Sequence, residues 1–275
     1  MPSRSVLQSL AYVNWTLLFS LALGALAVVA VLRWRTDATA GYLGFTAGCA
    51  AVFAALAVLL DGSLPPPPGL GIATPSAQVD QARHLGLVLF TFLLAAEAVA
   101  VRRRGGRWLG LAALGVGLLT ASVAAFGWGA DGPAALAILV ELLILAAVTG
   151  GVLAAMILGH WYLVTPRLSE GPLILAVRLL LVALVVEAVA FAVSTTLGIA
   201  SDRPLGAFSG QYAFLVWLLL GVGIVFPLVL TGMALRTART RSMESATGLL
   251  YIDTAAVLAG TIVTAALLFG AGVAA

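Results

Sequence analysis

Long apolar runs, separated by short polar segments, cover nearly the whole chain. Eight of these runs approach about 20 residues, the length that a helix needs to cross the hydrocarbon of a bilayer. They are residues 7–32, 42–60, 85–101, 108–126, 134–158, 173–199, 212–235 and 249–268. The pattern therefore predicts an all-α polytopic integral membrane protein with about eight transmembrane helices. Arg33 and Arg35 follow the first run as a stop-transfer flank does, which favours a retained helix over a cleaved signal peptide.

The composition agrees with this class. Of the 275 residues, 62% are hydrophobic and 9% are charged, whereas soluble domains carry roughly 25% charged residues. No segment is polar enough to fold as a soluble domain, so we expect residues 1–275 to form a single transmembrane domain whose main partner is the lipid bilayer.

The positive charges predict an orientation. The chain has 14 basic residues, all of them arginines, and they are concentrated in alternate loops between the apolar runs. Ten lie on one predicted side, whereas Arg4, Arg83 and Arg203 lie on the other. The positive-inside rule places the ten in the cytoplasm. We therefore expect a multi-pass protein of the cell inner membrane with both termini extracytoplasmic. Arginines set between apolar runs also exclude a contiguous nucleic-acid surface.

Two halves of the chain show a weak internal similarity. A shift of 127 residues superimposes the sequence LGIA at 70–73 on LGIA at 197–200, and it aligns Gly24 with Gly151 and Trp34 with Trp161. The match predicts two parallel four-helix repeats, 7–126 and 134–268. Short apolar matches also arise by chance in alanine- and leucine-rich sequence, so a chain without a repeat is the alternative.

Two carboxylates lie deep in predicted helices. Ionisable groups inside a bilayer are costly and are functional candidates by default. Glu141 lies about 10 Å and Glu187 roughly 18 Å from the extracytoplasmic ends of their runs, at 1.5 Å per residue. An apolar surrounding favours the protonated form of each. We expect either a proton relay or cation pathway, or an interhelical hydrogen bond from a neutral acid.

A second candidate is a polar pocket near the cytoplasmic boundary. His160 and Tyr162 follow the fifth run directly, and Arg178 and Asp253 are expected at neighbouring depth on the sixth and eighth. If these four side chains converge, they form a ligand-binding pocket for a quinone carbonyl or a lipid headgroup. In the alternative, His160 is interfacial, and Trp161 and Tyr162 belong to the aromatic belt at the headgroups. Snorkelling alone would also explain Arg178.

Small residues and one proline predict details of helix packing. Gly151, Ala155 and Gly159 form a stripe where another helix can approach closely. In the seventh run, Gly221, Gly223 and Pro227 predict a kink or an unwound segment. Glu97 lies five residues before Arg102, which predicts local charge neutralisation near a helix end.

Several kinds of chemistry are unsupported. The absence of lysine excludes a retinal Schiff base, and the single cysteine excludes an intrachain disulfide. The two histidines, His84 and His160, are predicted at opposite membrane surfaces and cannot ligate one haem. No motif for a metal site, a nucleotide-binding loop or a catalytic serine is present. We therefore expect no catalytic residue, no metal and no intrinsic cofactor, with a bound quinone as the one possibility.

The predicted layout, eight helices in two four-helix units with both termini outside, resembles the membrane anchors of the polysulfide- and dimethylsulfoxide-reductase type. The resemblance covers helix count and layout and transfers no residue. It implies a quinone- or lipid-interacting membrane subunit of a respiratory electron-transfer complex, with other membrane or redox subunits as partners. The alternatives are a small-molecule or proton-coupled transporter, and a structural or assembly protein without catalysis.

Overall fold

A computed structural model describes residues 3–67, 72–102, 106–165, 167–199 and 203–271. Arg103 and Arg104 lie outside these ranges, as do residues 70–71 and 200 of the two LGIA segments. The described chain is all-helical. Eight helices are long and apolar enough to cross a membrane, so this is a multi-pass membrane protein in contact with lipid. They are α1 (Ser3–Arg35), α2 (Ala40–Asp61), α3 (Ala77–Arg102), α4 (Arg107–Trp128), α5 (Gly132–Val164), α6 (Gly171–Thr196), α7 (Ala213–Arg239) and α8 (Met243–Ala271).

Polar side chains cap two of these helices. The Thr39 hydroxyl accepts a hydrogen bond from the Tyr42 amide at 3.3 Å, and the Asp131 carboxylate accepts one from the Ala134 amide at 2.8 Å. Each satisfies a backbone donor that the first turn leaves free. The 33 residues of α5 extend about 50 Å, which exceeds the roughly 30 Å hydrocarbon, so this helix tilts or projects beyond it.

Helices of the same half pack in chain order. In the first half α1 contacts α2, α2 contacts α3, and α3 contacts α4, while α5, α6, α7 and α8 follow the same order in the second. The two halves meet where α1 packs against α5 and α8. The internal repeat stays a prediction, because a shared packing order is not a residue correspondence. We call the end of the bundle where α1, α3, α5 and α7 finish the arginine-rich end, and the other the arginine-poor end.

The backbones of α1 and α5 touch where they cross. A Cβ built on Gly24 would overlap the Ala146 carbonyl oxygen and lie 2.9 Å from the Gly150 Cα. Only glycine at both positions permits this approach. Lipid tails are as apolar as side chains, so close van der Waals packing of this kind is a main source of helix association in a membrane. The predicted small-residue stripe thus lies near the crossing, but Gly150 makes the closest approach to α1.

Aromatic rings join the halves near the arginine-poor end. Trp128 of α4 packs edge-on against Trp15 of α1 at 5.1 Å and against Phe269 of α8 at 5.4 Å between ring centroids. Tyr12 contacts the same cluster, and its hydroxyl donates a hydrogen bond to the Pro65 carbonyl at 2.6 Å. This cluster ties the first and last helices to the loop after α2.

Candidate functional site: a buried acid pair

The two deep carboxylates lie at the same depth in the bundle. Glu141 follows the start of α5 at Gly132 by nine residues, and Glu187 precedes the end of α6 at Thr196 by nine. At 1.5 Å per residue, both lie about 13 Å from the arginine-poor end. The sequence predicted unequal depths because the apolar runs begin and end at other residues than the helices do.

Glu141 and Glu187 line one cavity within the second half. Side chains of four helices surround it: Glu141, Ile144 and Leu145 from α5, Glu187, Ala190 and Phe191 from α6, Leu219 and Ile224 from α7, and Thr264 from α8. Both glutamates are buried. The centre of a water molecule can move within about 10 Å³ of this cavity, so the cavity has room for roughly one water.

Two polar atoms of this cavity have no hydrogen-bond partner among the described residues. They are Oε2 of Glu187 and Oγ1 of Thr264. A buried polar atom without a partner costs about 1–3 kcal/mol, so its presence needs an explanation. No arginine forms an ion pair with either glutamate in the part of the chain that is described. Two negative charges in one apolar cavity would repel each other strongly.

A distorted segment of α7 forms one wall of the cavity. Residues Leu219–Val225 adopt π-helical geometry, and Leu219 and Ile224 contact the acid cavity. The sequence predicted a kink or an unwound segment from Gly221, Gly223 and Pro227, whereas these residues lie in a continuous helix whose part Leu219–Val225 has π geometry. A Cβ on Gly223 would lie 2.8 Å from the Gly260 Cα, so α7 and α8 touch through their backbones. Single π-helical turns inside α-helices are frequent at functional sites.

Buried polar groups continue from the cavity along α8. Thr261, one turn from Thr264, shares a hydrogen bond of 2.6 Å with Thr149 of α5. Nearer the arginine-rich end, Asp253 is fully buried and accepts a hydrogen bond of 2.5 Å from Thr231. The inner face of α8 therefore carries hydroxyl or carboxyl groups at three depths. These threonines are not distinctive in the sequence, because threonine is common in membrane helices. Their recurrence along α8 was the signal that could have identified them.

The four residues of the predicted polar pocket have separate surroundings. His160 Nδ1 lies 3.2 Å from the Tyr251 hydroxyl, and the Tyr162 hydroxyl donates to the Ser169 carbonyl. Asp253 has Thr231 as its partner, and Arg178 is exposed on the outer face of α6. No hydrogen bond or ion pair joins these four to one another in the described chain. Their role in binding a ligand stays a prediction, without a shared pocket to support it.

The aromatic residues beside His160 pack inside the bundle. Tyr162 is buried, and Trp161 packs against Tyr42 and Phe45 of α2. The aromatic-belt interpretation therefore does not describe Tyr162, because a belt residue faces the headgroups.

A polar cluster at the arginine-poor end was missed by sequence reasoning. The buried Asp61 at the end of α2 accepts hydrogen bonds from Arg83 Nε at 2.7 Å and from His84 Nδ1 at 3.0 Å. Arg83 also binds Asp80 at 2.5 Å and lies 5.5 Å from the Trp128 ring centroid. The available signal in the sequence was the adjacent pair Arg83 and His84, which is separated by one loop from Asp61 at the end of the preceding apolar run. With these partners, the cluster connects α2, α3 and α4.

Glu97 has a partner that the sequence did not predict. Its carboxylate accepts a hydrogen bond from Arg33 at the end of α1. The sequence had predicted neutralisation by the nearby Arg102. This ion pair connects α1 to α3 near the arginine-rich end. Among the described residues, no group of three or more histidine, cysteine, aspartate and glutamate side chains is arranged to hold a metal ion.

Comparison of the chain with models of protein families, with curated proteins and with solved structures found no match.

Proposed function

We propose that this protein is a proton-coupled membrane transporter in which Glu141 and Glu187 take up and release the coupling proton. The observation that carries the proposal is their placement: two buried glutamates at one depth share a cavity with a partnerless threonine hydroxyl. Glu97 and Asp253 also have one oxygen without a partner, but each has a second oxygen bound to Arg33 or Thr231, whereas the acid pair has no such partner among the described residues.

In the proposed mechanism, one of the two carboxyl groups carries a proton, because two negative charges in one apolar cavity would repel each other. A water molecule of the size that the cavity admits would hydrogen-bond to Glu187 Oε2 and Thr264 Oγ1, the two atoms without partners. Thr261 with Thr149, and Asp253 with Thr231, supply further hydrogen-bonding groups along α8 toward the arginine-rich end. The π-helical segment of α7 gives the wall of the cavity a backbone that can change its hydrogen bonds at modest cost.

Proton flux into proteoliposomes tests the proposal. A pH-sensitive dye inside the vesicles would report proton entry when an inward pH gradient is imposed together with a permeant counter-ion. We expect Glu141→Gln and Glu187→Gln each to lower the flux at least tenfold, because an amide cannot exchange a proton near neutral pH. Glu244→Gln removes the same charge from an exposed site at the start of α8 and is the matched control.

Flux in both glutamine variants equal to that of the Glu244→Gln control would exclude a proton role for the pair. Flux in none of the proteins, the unsubstituted chain included, would favour the structural or assembly role.

The quinone- or lipid-interacting subunit of an electron-transfer complex stays the alternative prediction, as do other redox subunits and the cell inner membrane as its location. Purification from the native membrane in a mild detergent separates the two functions. A stable partner that carries a redox cofactor would favour the electron-transfer subunit, whereas a monomer or homodimer with proton flux would favour the transporter.

A further inference from the structure

An apolar groove runs along the outer surface between α1, α5 and α6. Its floor consists of small residues, among them Gly24, Ala147 and Gly151, and its volume is about 460 Å³. Exposed valines of all three helices line it, which shows that it opens sideways toward the membrane: Val31, Val140, Val182 and Val186. A groove of this size and lining accommodates an apolar chain.

Arg178 lies at one end of this groove by helical register. Val182 and Val186 follow it by four and eight residues, so the three side chains lie on one stripe of α6. Arg178 is seven residues from Gly171, about 10 Å inside the helix at its arginine-rich end. The guanidinium is exposed, and no carboxylate of the described residues lies within 4.0 Å of it. A permanent positive charge thus lies beside an apolar groove without a counter-ion in the part of the chain that the structure describes.

We propose that this groove binds an anionic phospholipid, with its phosphate at Arg178 and an acyl chain along the valines toward Val186. Guanidinium and phosphate match in charge and geometry, because two N–H donors can bind two phosphate oxygens. The acyl chain matches the apolar lining. A neutral quinone offers no charge for Arg178, and so it fits this position less well. The proposal does not rest on the proton function of the acid pair.

Native mass spectrometry of the full chain can measure the lipid directly. The delipidated protein would be titrated with phosphatidylglycerol or with zwitterionic phosphatidylcholine of the same acyl chains. We expect the unsubstituted protein to retain phosphatidylglycerol at least tenfold more tightly, because a hydrogen-bonded charge pair contributes about that factor.

Substitutions at Arg178 and at Ala147 address the head group and the acyl chain of the lipid. Arg178→Gln should remove the preference for phosphatidylglycerol, and Arg178→Lys should keep part of it. Arg236→Gln, at an exposed arginine in the last turn of α7, controls for general attraction of anionic lipid and should keep the preference. Ala147→Phe fills the groove from its exposed side and should weaken retention of both lipids. Ala112→Phe, on the exposed face of α4, should not.

A melting temperature measured for each variant in the same detergent shows that it is folded, and the equally neutral Arg178→Met replaces Arg178→Gln if the glutamine variant is unstable. The proposal is overturned if the neutral variant keeps the preference for phosphatidylglycerol that the Arg236→Gln control shows, or if Ala147→Phe retains lipid as Ala112→Phe does. It is also overturned if a quinone displaces phosphatidylglycerol at equal concentration.

Discussion

Four of the buried carboxyl groups lie in three different environments. Asp61 is paired with Arg83 and His84, and Glu97 is paired with Arg33. Glu141 and Glu187 instead share a cavity without an ion-pair partner among the described residues. The first two connect helices through charge, and removal of one partner would leave an uncompensated buried charge. The acid pair has no such partner to lose, so its substitution should affect stability far less.

Replacing Asp61 tests the structural role of the arginine-poor cluster. We expect Asp61→Asn to destabilise the protein by about 3 kcal/mol, because buried Arg83 loses its closest buried carboxylate. For a chain of this length, this corresponds to a melting temperature lower by roughly 6–12 °C. Asp80→Asn is the control: its carboxylate also binds Arg83 but is exposed, so its loss should cost less than about 1 kcal/mol. Equal losses for the two variants would contradict this assignment.

The double variant Glu141→Gln with Glu187→Gln should fold normally. Glutamine has nearly the shape of a protonated glutamate and can make the same number of hydrogen bonds. We expect a melting temperature within about 3 °C of the unsubstituted protein, measured by the fluorescence of the buried tryptophans. A sharp loss of stability would show that an ionised partner of the pair is structurally required.

Depth along a helix was predictable for these residues, whereas direction around the helix was not. The apolar runs placed Glu141 and Glu187 deep in the membrane, but nothing in them says which faces of α5 and α6 meet. For the same reason His160, Arg178 and Asp253 were grouped by depth, yet Arg178 faces outward and Asp253 faces Thr231. The direction in which a side chain faces around its helix depends on the packing of several helices at once. A local stretch of sequence does not determine that packing.

Among the elements, α7 differs most from a regular helix. Its π-helical segment lies beside the acid cavity, and Gly223 within that segment touches Gly260 of α8. Gly221, two residues away, has open space where a side chain would extend. The two glycines therefore have different roles in the same short segment.

Alanine substitution should separate these roles. We expect Gly223→Ala to destabilise the protein by about 1–3 kcal/mol, because the added methyl group must force α7 and α8 apart. Gly221→Ala should be neutral or up to about 1 kcal/mol stabilising, since alanine favours helix more than glycine does. Thermal unfolding of both variants measures the difference. Equal stability of the two variants would contradict the close packing of the π-helical segment against α8.

The number and positions of the helices were predictable from the apolar pattern alone. All eight predicted runs coincide with helices, because about 20 apolar residues are both necessary and recognisable for a span. The helix ends were less predictable. The α5 helix begins at Gly132 and ends at Val164, beyond its apolar run at both ends, because Asp131 caps one end and polar residues can continue a helix outside the hydrocarbon.

At the scale of the whole molecule, arginine distribution is the strongest asymmetry. The described ends of α1 and α7 place Arg33, Arg35, Arg236 and Arg239 at one end of the bundle. The positive-inside rule predicts that this end faces the cytoplasm, and therefore that both termini lie outside.

Reporter fusions measure this orientation. We expect alkaline phosphatase fused to the C terminus to be active and a fluorescent protein at the same position to be dark, since the first folds only outside the cytoplasm. Fusions in the segment between α7 and α8 should behave in the opposite way and serve as the control. A fluorescent C-terminal fusion with an inactive phosphatase would reverse the assignment of both ends.

The close crossing of α1 and α5 also has a consequence for how the protein is made. About 100 residues separate the end of α1 from the start of α5, so the ribosome completes three further helices before the main partner of α1 exists. Yet 72% of the apolar stretch of α1 is buried in the finished protein. The glycine-containing face of α1 must therefore be covered by lipid or by the insertion machinery until α5 and then α8 have been inserted. The contacts that bury α1 therefore form only after α5 and α8 have been made.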